Sequence, residues 1–333
     1  MLEKPELPDD SIIHCLREAF GIPIHQIDFL PLGADSDSAV YRAVTADGVP
    51  YFVKLRSGNF DENAVTVPRL LGDRGLRSII PPLSARTGRL WAEMNPFRVI
   101  LYPYVEGQNG YRVRLTDSQW AELGSTLRQV HAVIVPPALA GTIRREGFSP
   151  RWRQSLRAHL ERVEREAYGD PAAAELAAFL KLKRGVILEL VERAERHAAA
   201  LRARPPAFVL CHSDVHAGNV LIDGNDNLYI VDWDQPIFAP KERDLMVPGG
   251  AQGFIGHMPE EEEVLFFRGY GPVEIDLVAL AYYRFERIVE DIALYCDDLL
   301  LSDAGGADRF QALRYVLSNF LAGGTVEMAY RAE

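Results

Sequence analysis

Apolar residues at 12, 13, 16, 19 and 20 of "DDSIIHCLREAF" recur at helical spacing, and Gly21 follows them, so the chain begins with a capped helix over about 9–20. The pattern then shortens into β-branched and aromatic runs. "IHQIDFLPLG", "SAVYRAVT" and "VPYFVKLR" predict strands, with the turn "ADG" joining the second to the third. "DENAVTVPRLLGDRG" predicts a short helix stopped by Gly72 or Gly75, with Pro68 as its weak point. "GRLWAEMN" and "FRVILYPYV" predict further strands. The order β-β-β-α-β-β describes an antiparallel sheet with a packed helix.

Past "EGQNG" the helical period takes over. "DSQWAELGSTLRQVHAVI" predicts a helix capped by its Asp or Ser. Residues 151–167 and about 172–203 predict long amphipathic helices separated by "YGDP", their Arg and Glu runs forming solvated faces. "AFVLCHSD" reads as a strand entering a loop, and "NVLIDGNDNLYIVDWD" as a hairpin with a Gly-Asn or Asn-Asp turn. From about 258 the chain is helical again. The fold class is α+β and bilobal: a small antiparallel β lobe with a helix over 1–104, then a larger, mainly helical lobe over 105–333 with a helical insertion at about 151–203.

Composition narrows the class. The 333 residues are 48% hydrophobic and 25% charged, enough for two cored lobes. No apolar run reaches ~18 residues, so no membrane span is expected. The start "MLEKPELPDD" is acidic and Pro-broken, unlike a signal peptide, so the cytoplasm is the expected compartment. Cys15, Cys211 and Cys296 form no CxxC pair and read as buried, reduced thiols. A net charge of -11 argues against a nucleic-acid partner and is compatible with a cationic small substrate. Monomer and homodimer both stay open.

Candidate chemistry concentrates in "HSDVHAGN", residues 212–219, and in "DWD", residues 232–234. Asn219 and Asp232 offer hard oxygen ligands to a divalent ion, and Asp214 offers a carboxylate to accept or orient a hydroxyl proton. That set suits phosphoryl transfer from a nucleotide. Lys54 stands inside the apolar strand "YFVKL" and needs an anionic partner, either nucleotide phosphates or Glu62 of the following helix. The turn "GADSDS" presents the hydroxyls of Ser36 and Ser38, although Asp35 and Asp37 would repel phosphate. Zinc on Cys211, His212, Asp214 and His216 is disfavoured, because adjacent Cys and His on a strand point to opposite faces. His212 reads as a structural histidine, Trp233 as packing, and Arg243 and Asp244 as scaffold charges.

The order Lys on the third strand, "LYPYVEG", HxDxxxxN and a hairpin ending in Asp resembles the aminoglycoside phosphotransferases and related small-molecule kinases of protein-kinase-like fold. "HSDVHAGN" is close to that family's usual "HGDxHxGN". The stretches "GADSDSAVYRA", "VDWDQPIFAPKERDLM" and "YYRFERIVEDIALY" extend the likeness over nearly the whole chain. The resemblance implies that 1–104 is the nucleotide-binding lobe and 105–333 the catalytic and substrate-binding lobe. It implies Asp214 as catalytic base or orienter, and Asn219 and Asp232 as Mg2+ ligands. Lys54 would hold the α- and β-phosphates, with adenine at the backbone around Tyr102, Pro103 and Tyr104. The donor would be ATP, with GTP open, and the acceptor an aminocyclitol or aminoglycoside antibiotic, spectinomycin foremost.

Charge points to where such an acceptor would sit. Residues 258–300 hold eleven acids against three Arg. Glu286 and Glu290 lie four apart on one helix face, and like charges at that spacing cost a few tenths of a kcal/mol, roughly. Arg287 is spaced to pair with Asp291, which leaves the two Glu for an outside cation. A pocket of Asp234, Glu286, Glu290 and Asp291 is therefore expected, the rival being a solvated acidic face. Rival functions are a kinase for choline, homoserine or a sugar, a metal-dependent hydrolase built on HxDxH, and a silent nucleotide-binding protein.

Overall fold

The computed structural model describes residues 4–33, 37–249, 251–252, 255–302, 306, 308–321 and 323–331. The first helix, α1 (Asp9–Cys15), runs straight into a π-helical turn, Leu16–Phe20, and Gly21 at φ 76° ends both. Its N-cap position is Pro8, which makes no side-chain cap. Strands β1 (Ile24–Leu30), β2 (Ser38–Thr45) and β3 (Pro50–Arg56) follow as read, then α2 (Asn63–Asp73), β4 (Ala92–Met94) and β5 (Phe97–Pro103). They form an antiparallel sheet in the order β1-β2-β3-β5-β4. Pro68 lies inside α2, buried.

Strand alternation decides what each face of this sheet does. Tyr41, Val53, Leu55, Val99 and Leu101 bury one face against Ile12 and Leu16. Because strand side chains alternate, Lys54 and Arg56 leave β3 on the opposite face. Lys54 is opposite Val40 of β2 and Ile100 of β5, so it starts from the middle of the sheet.

The connector "EGQNG" contains a strand, β6 (Gly107–Asn109). Then come α3 (Asp117–His131) and the short α4 (Pro137–Ala140). The cap of α3 is Thr116, not Asp117 or Ser118: its hydroxyl accepts from Gln119 N–H, and the Gln119 side chain accepts from Thr116 N–H. Next are β7 (Arg144–Arg145), α5 (Arg151–Arg165), α6 (Pro171–Ala203) and β8 (Val209–Cys211). The hairpin is β9 (Val220–Asp223) with β10 (Leu228–Ile230). Its turn is built on Asp223, whose carboxylate accepts from the N–H groups of Asn225 and Asn227. The chain continues through β11 (Ile237–Ala239), α7 (Glu242–Leu245), α8 (Pro259–Tyr270), α9 (Leu277–Leu300), α10 (Asp308–Ser318) and α11 (Thr325–Tyr330).

By compactness the chain divides into two units, Met1–Ile143 with His212–Pro236, and Arg144–Cys211 with Ile237–Glu333. This differs from the cut expected at 104/105. In the first unit, β6 joins the hairpin in a sheet ordered β10-β9-β6, and Ile230 N–H donates to Ser78 O at 2.8 Å. Those bonds hold 212–236 to the amino-terminal residues. The second unit has its own sheet, β7-β11-β8, and a helical core in which α5, α6 and α9 bury Leu156, Leu160, Leu180, Ile187, Phe285 and Ile292. Cys15, Cys211 and Cys296 are all buried free thiols. Among the described residues, no helix is long and apolar enough to cross a membrane.

Candidate active site

Residues 212–236 fold around a fully buried histidine. His212 Nδ1 accepts from Asp214 N–H (3.2 Å), and its Nε2–H donates to Val231 O (3.0 Å). Both ring nitrogens hold backbone, which is the structural role expected of it. Trp233 meets the His212 ring edge-on at 4.4 Å and donates from Nε1 to Ile230 O. Ser213, next to this pin, is at φ 77°, and Asp232 is at φ 65°. Both are left-handed conformations that favour glycine, held here by the surrounding bonds. Ser213 Oγ donates to Gln235 O at 2.6 Å, tying the start of the loop to its end.

The turn Ala217–Asn219 brings Asn219 back to Asp214. Asn219 Nδ2 donates to Asp214 O (2.9 Å) and lies 3.3 Å from Asp214 Oδ2. The amide nitrogen is spent on Asp214, so the amide oxygen is the atom that could serve a metal. His216 Nδ1 accepts from Gly218 N–H (3.0 Å), and its Nε2 lies 3.8 Å from Asp214 Oδ2. Tyr111 stacks on the His216 ring at 5.9 Å. Neither the Tyr111 contact nor a role for His216 beside Asp214 was expected. Nothing in the local pattern marks Tyr111.

Lys54 completes the cluster. Its Nζ donates to Asp232 Oδ1 at 2.8 Å and to Asp234 Oδ1 at 2.7 Å. Arg56 Nη1 donates to Asp234 Oδ2 at 3.3 Å. Burial pushes the Lys54 ammonium down, but the two carboxylates outweigh it and hold the group above its ordinary value. Burial also pushes Asp232 up, and there Lys54 wins, leaving that carboxyl below its ordinary value. Asp234 ends above its ordinary value, because burial and the neighbouring Asp232 prevail over Lys54 and Arg56. Glu62 is not the partner of Lys54. It is exposed at the N-cap position of α2, and the carboxylates of 232 and 234 occupy the ammonium instead.

The residues expected at the nucleotide are distributed as follows. Ser36 lies outside the described residues, and Ser38 opens β2, half-buried. Tyr102 of β5 is edge-on to Phe52 at 6.2 Å. Burial pushes its phenol up against the pull of Lys54. Tyr104 carries the Arg42 guanidinium over its ring at 5.3 Å.

Glu286 and Asp291 of α9 have internal partners, which corrects the argument that Glu286 needs an outside cation. Arg153 of α5 is buried, donates from Nη1 to Glu286 Oε2, and donates from Nη2 to Phe148 O and Ser149 O. Glu286 is itself buried, so it belongs to no solvated face either. Asp291 pairs with Arg287 at 2.9 Å, as its spacing indicated. Burial pushes the Arg243 guanidinium down, but Tyr283, Glu146 and, after them, Glu290 outweigh it and hold the group above its ordinary value. Arg243 is an internal scaffold charge, 3.3 Å from Glu146 and packed over Tyr283.

A kinase-like sheet carrying a lysine, an HxDxxxxN loop and a hairpin ending in Asp together define a phosphotransferase. The sequence profile of the Phosphotransferase enzyme family matches residues 28–236, and the chain belongs to that family. Protein StrN of Streptomyces griseus is 31% identical over 257 residues, covering 73% of this chain and 77% of that protein. Among solved structures, Spectinomycin Phosphotransferase, APH(9)-Ia, in complex with ADP and spectinomycin superposes with a TM-score of 0.90. It is 36% identical, with 99% of both chains covered. Amicoumacin kinase hAmiN, in complex with AMP-PNP, Ca2+ and Ami, shares the fold at a TM-score of 0.63 and 16% identity, over 98% of this chain and 94% of that one.

Proposed function

We propose that this phosphotransferase moves the γ-phosphate of ATP to a hydroxyl of an aminocyclitol antibiotic, with the 9-hydroxyl of spectinomycin as the foremost acceptor. One observation carries the reading: full-length similarity at 36% identity to a spectinomycin phosphotransferase holding ADP and spectinomycin. An adenine nucleotide is favoured over GTP for the same reason. A cytoplasmic location, where ATP is supplied, is part of this reading.

The residues divide the work. Asp214, held by Asn219 and by the His212 ring, orients the acceptor hydroxyl and takes its proton as the oxygen bonds to phosphorus and ADP leaves. Lys54 offsets phosphate charge from the middle of the sheet. The backbone of β5 around Tyr102 and Tyr104 receives adenine, and Ser36 and Ser38 meet the phosphates. The Asn219 amide oxygen and the Asp232 carboxylate would hold Mg2+; both are hard oxygen donors that suit it. Bound Mg2+ would offset charge on the β- and γ-phosphates. Of the acids expected at the acceptor, Glu290 and Asp291 are half-buried, whereas Glu286 is buried on Arg153.

The test is ADP release with Mg-ATP over spectinomycin, a kanamycin-type aminoglycoside, choline and homoserine. Stimulation by spectinomycin alone is expected. Stimulation by choline or homoserine in its place overturns the acceptor. Asp214→Asn is expected to lower kcat by about 10²–10⁴-fold while ADP binding persists, measured by turnover and by titration calorimetry.

A further inference from the structure

Lys54 and Arg56 project from one face of β3, and Asp234 engages both with separate oxygens: Oδ1 on Lys54 at 2.7 Å, Oδ2 on Arg56 at 3.3 Å. Asp232 places Oδ1 on Lys54 and is the more open acid, with 45% of its side chain exposed against 26% for Asp234. Between them, Trp233 is buried and bonded to Ile230 O, which pins the segment. The two acids of "DWD" thus stand in unlike positions. Asp232 is open enough to serve an incoming ligand, while Asp234 is fastened to the strand.

We infer that Asp234 is a positioning residue for Lys54. It supplies the fixed carboxylate that aims the ammonium at the nucleotide phosphates, and Arg56 anchors that carboxylate to β3. Asp234 would then leave the set of acids that meet the cationic acceptor. When Lys54 engages phosphate, the Arg56 bond keeps Asp234 compensated and in place. A carboxylate two residues after Asp232 thereby takes the part first assigned to Glu62. The inference rests on the proposed phosphate role of Lys54.

A double-mutant cycle tests it, read on ADP affinity without acceptor and on separate KM values for ATP and spectinomycin. The proteins are wild type, Asp234→Asn, Asp234→Glu, Lys54→Met and the Asp234→Asn/Lys54→Met double variant, each checked for folding by circular dichroism. Asp234→Asn is expected to weaken ADP binding about 10-fold and to leave the spectinomycin KM unchanged, with no further loss in the Lys54→Met background. Asp234→Glu should recover part of the affinity, and it carries the comparison if Asp234→Asn does not fold. Three outcomes overturn the inference: penalties that add in the double variant, a raised spectinomycin KM with ADP affinity intact, or an effect of Asp234→Asn seen only as a higher Mg2+ requirement. Lys54→Met with normal ADP affinity overturns the phosphate role of Lys54, and this inference with it.

Discussion

At the scale of single residues, the site depends on backbone shapes that side chains ordinarily resist. Ser213 holds φ 77° while its hydroxyl bonds Gln235 O. Replacing it with glycine relieves roughly 1–2 kcal/mol of left-handed strain and loses a hydrogen bond worth about 1 kcal/mol. Ser213→Ala loses the bond and keeps the strain. Thermal unfolding should therefore rank Ser213→Gly near wild type and Ser213→Ala below both. His216 offers a second comparison. Asn at this position mimics the Nδ1 atom that accepts from Gly218, and Gln mimics the Nε2 atom facing Asp214. If the ring only shapes the turn, Asn rescues turnover better than Gln; rescue by Gln with kcat restored and KM unmoved would assign it to Asp214. We expect Asn to preserve Tm and Gln to preserve kcat. The meeting of Asp214 and Asn219 was legible here because they sit within a few positions of one another in "HSDVHAGN". The partners of Lys54 were not, since both come from about 180 residues away and no local spacing encodes that contact.

Elements were read well where periodicity was strong and poorly where bonds outside the pattern decided. Strand β2 has the limits its alternation marks, and α5 and α6 begin within one residue of expectation. The strand β6 escaped notice because Gly-Gln-Asn has no apolar alternation; it exists through its ladder to β9. The Thr116 cap was hidden by two better-looking candidates beside it. Helix α6 is capped by Asp170, whose carboxylate accepts from Ala173 N–H and from Arg309 Nη2. Those bonds, the Arg309 one foremost, hold its carboxyl below the ordinary 3.8. The sign follows: the stability this charge adds is fully present above 3.8 and is lost as pH falls through the lower folded value. Asp170→Asn keeps a cap acceptor and loses the charge, so its Tm deficit at neutral pH should shrink in strong acid. On α9, Glu286→Ala strands a buried guanidinium and should cost about 3–5 kcal/mol in denaturant unfolding. Glu286→Gln should lower Tm and leave the spectinomycin KM within about twofold of wild type, which separates a packing role from an acceptor contact.

For the molecule as a whole, the α+β class and the long helices α5 and α6 were legible because a change of hydrophobic period from two to 3.6 is a global signal. The membership of 212–236 in the amino-terminal unit was not. It follows from a ladder and an Ile79–Ile230 bridge that join residues far apart in sequence. The excursion 212–236 also leaves and re-enters the second unit at neighbouring points, because Cys211 pairs with Ile237 across β8 and β11. Neither unit is a continuous stretch of polypeptide. A gene cut at one place therefore yields no intact half, and a fragment ending at 143 would retain Lys54 without either aspartate that holds it. In hereditary terms, a crossover between 143 and 212 gives Lys54 one parent and its two aspartates another, so the pairing would depend on both.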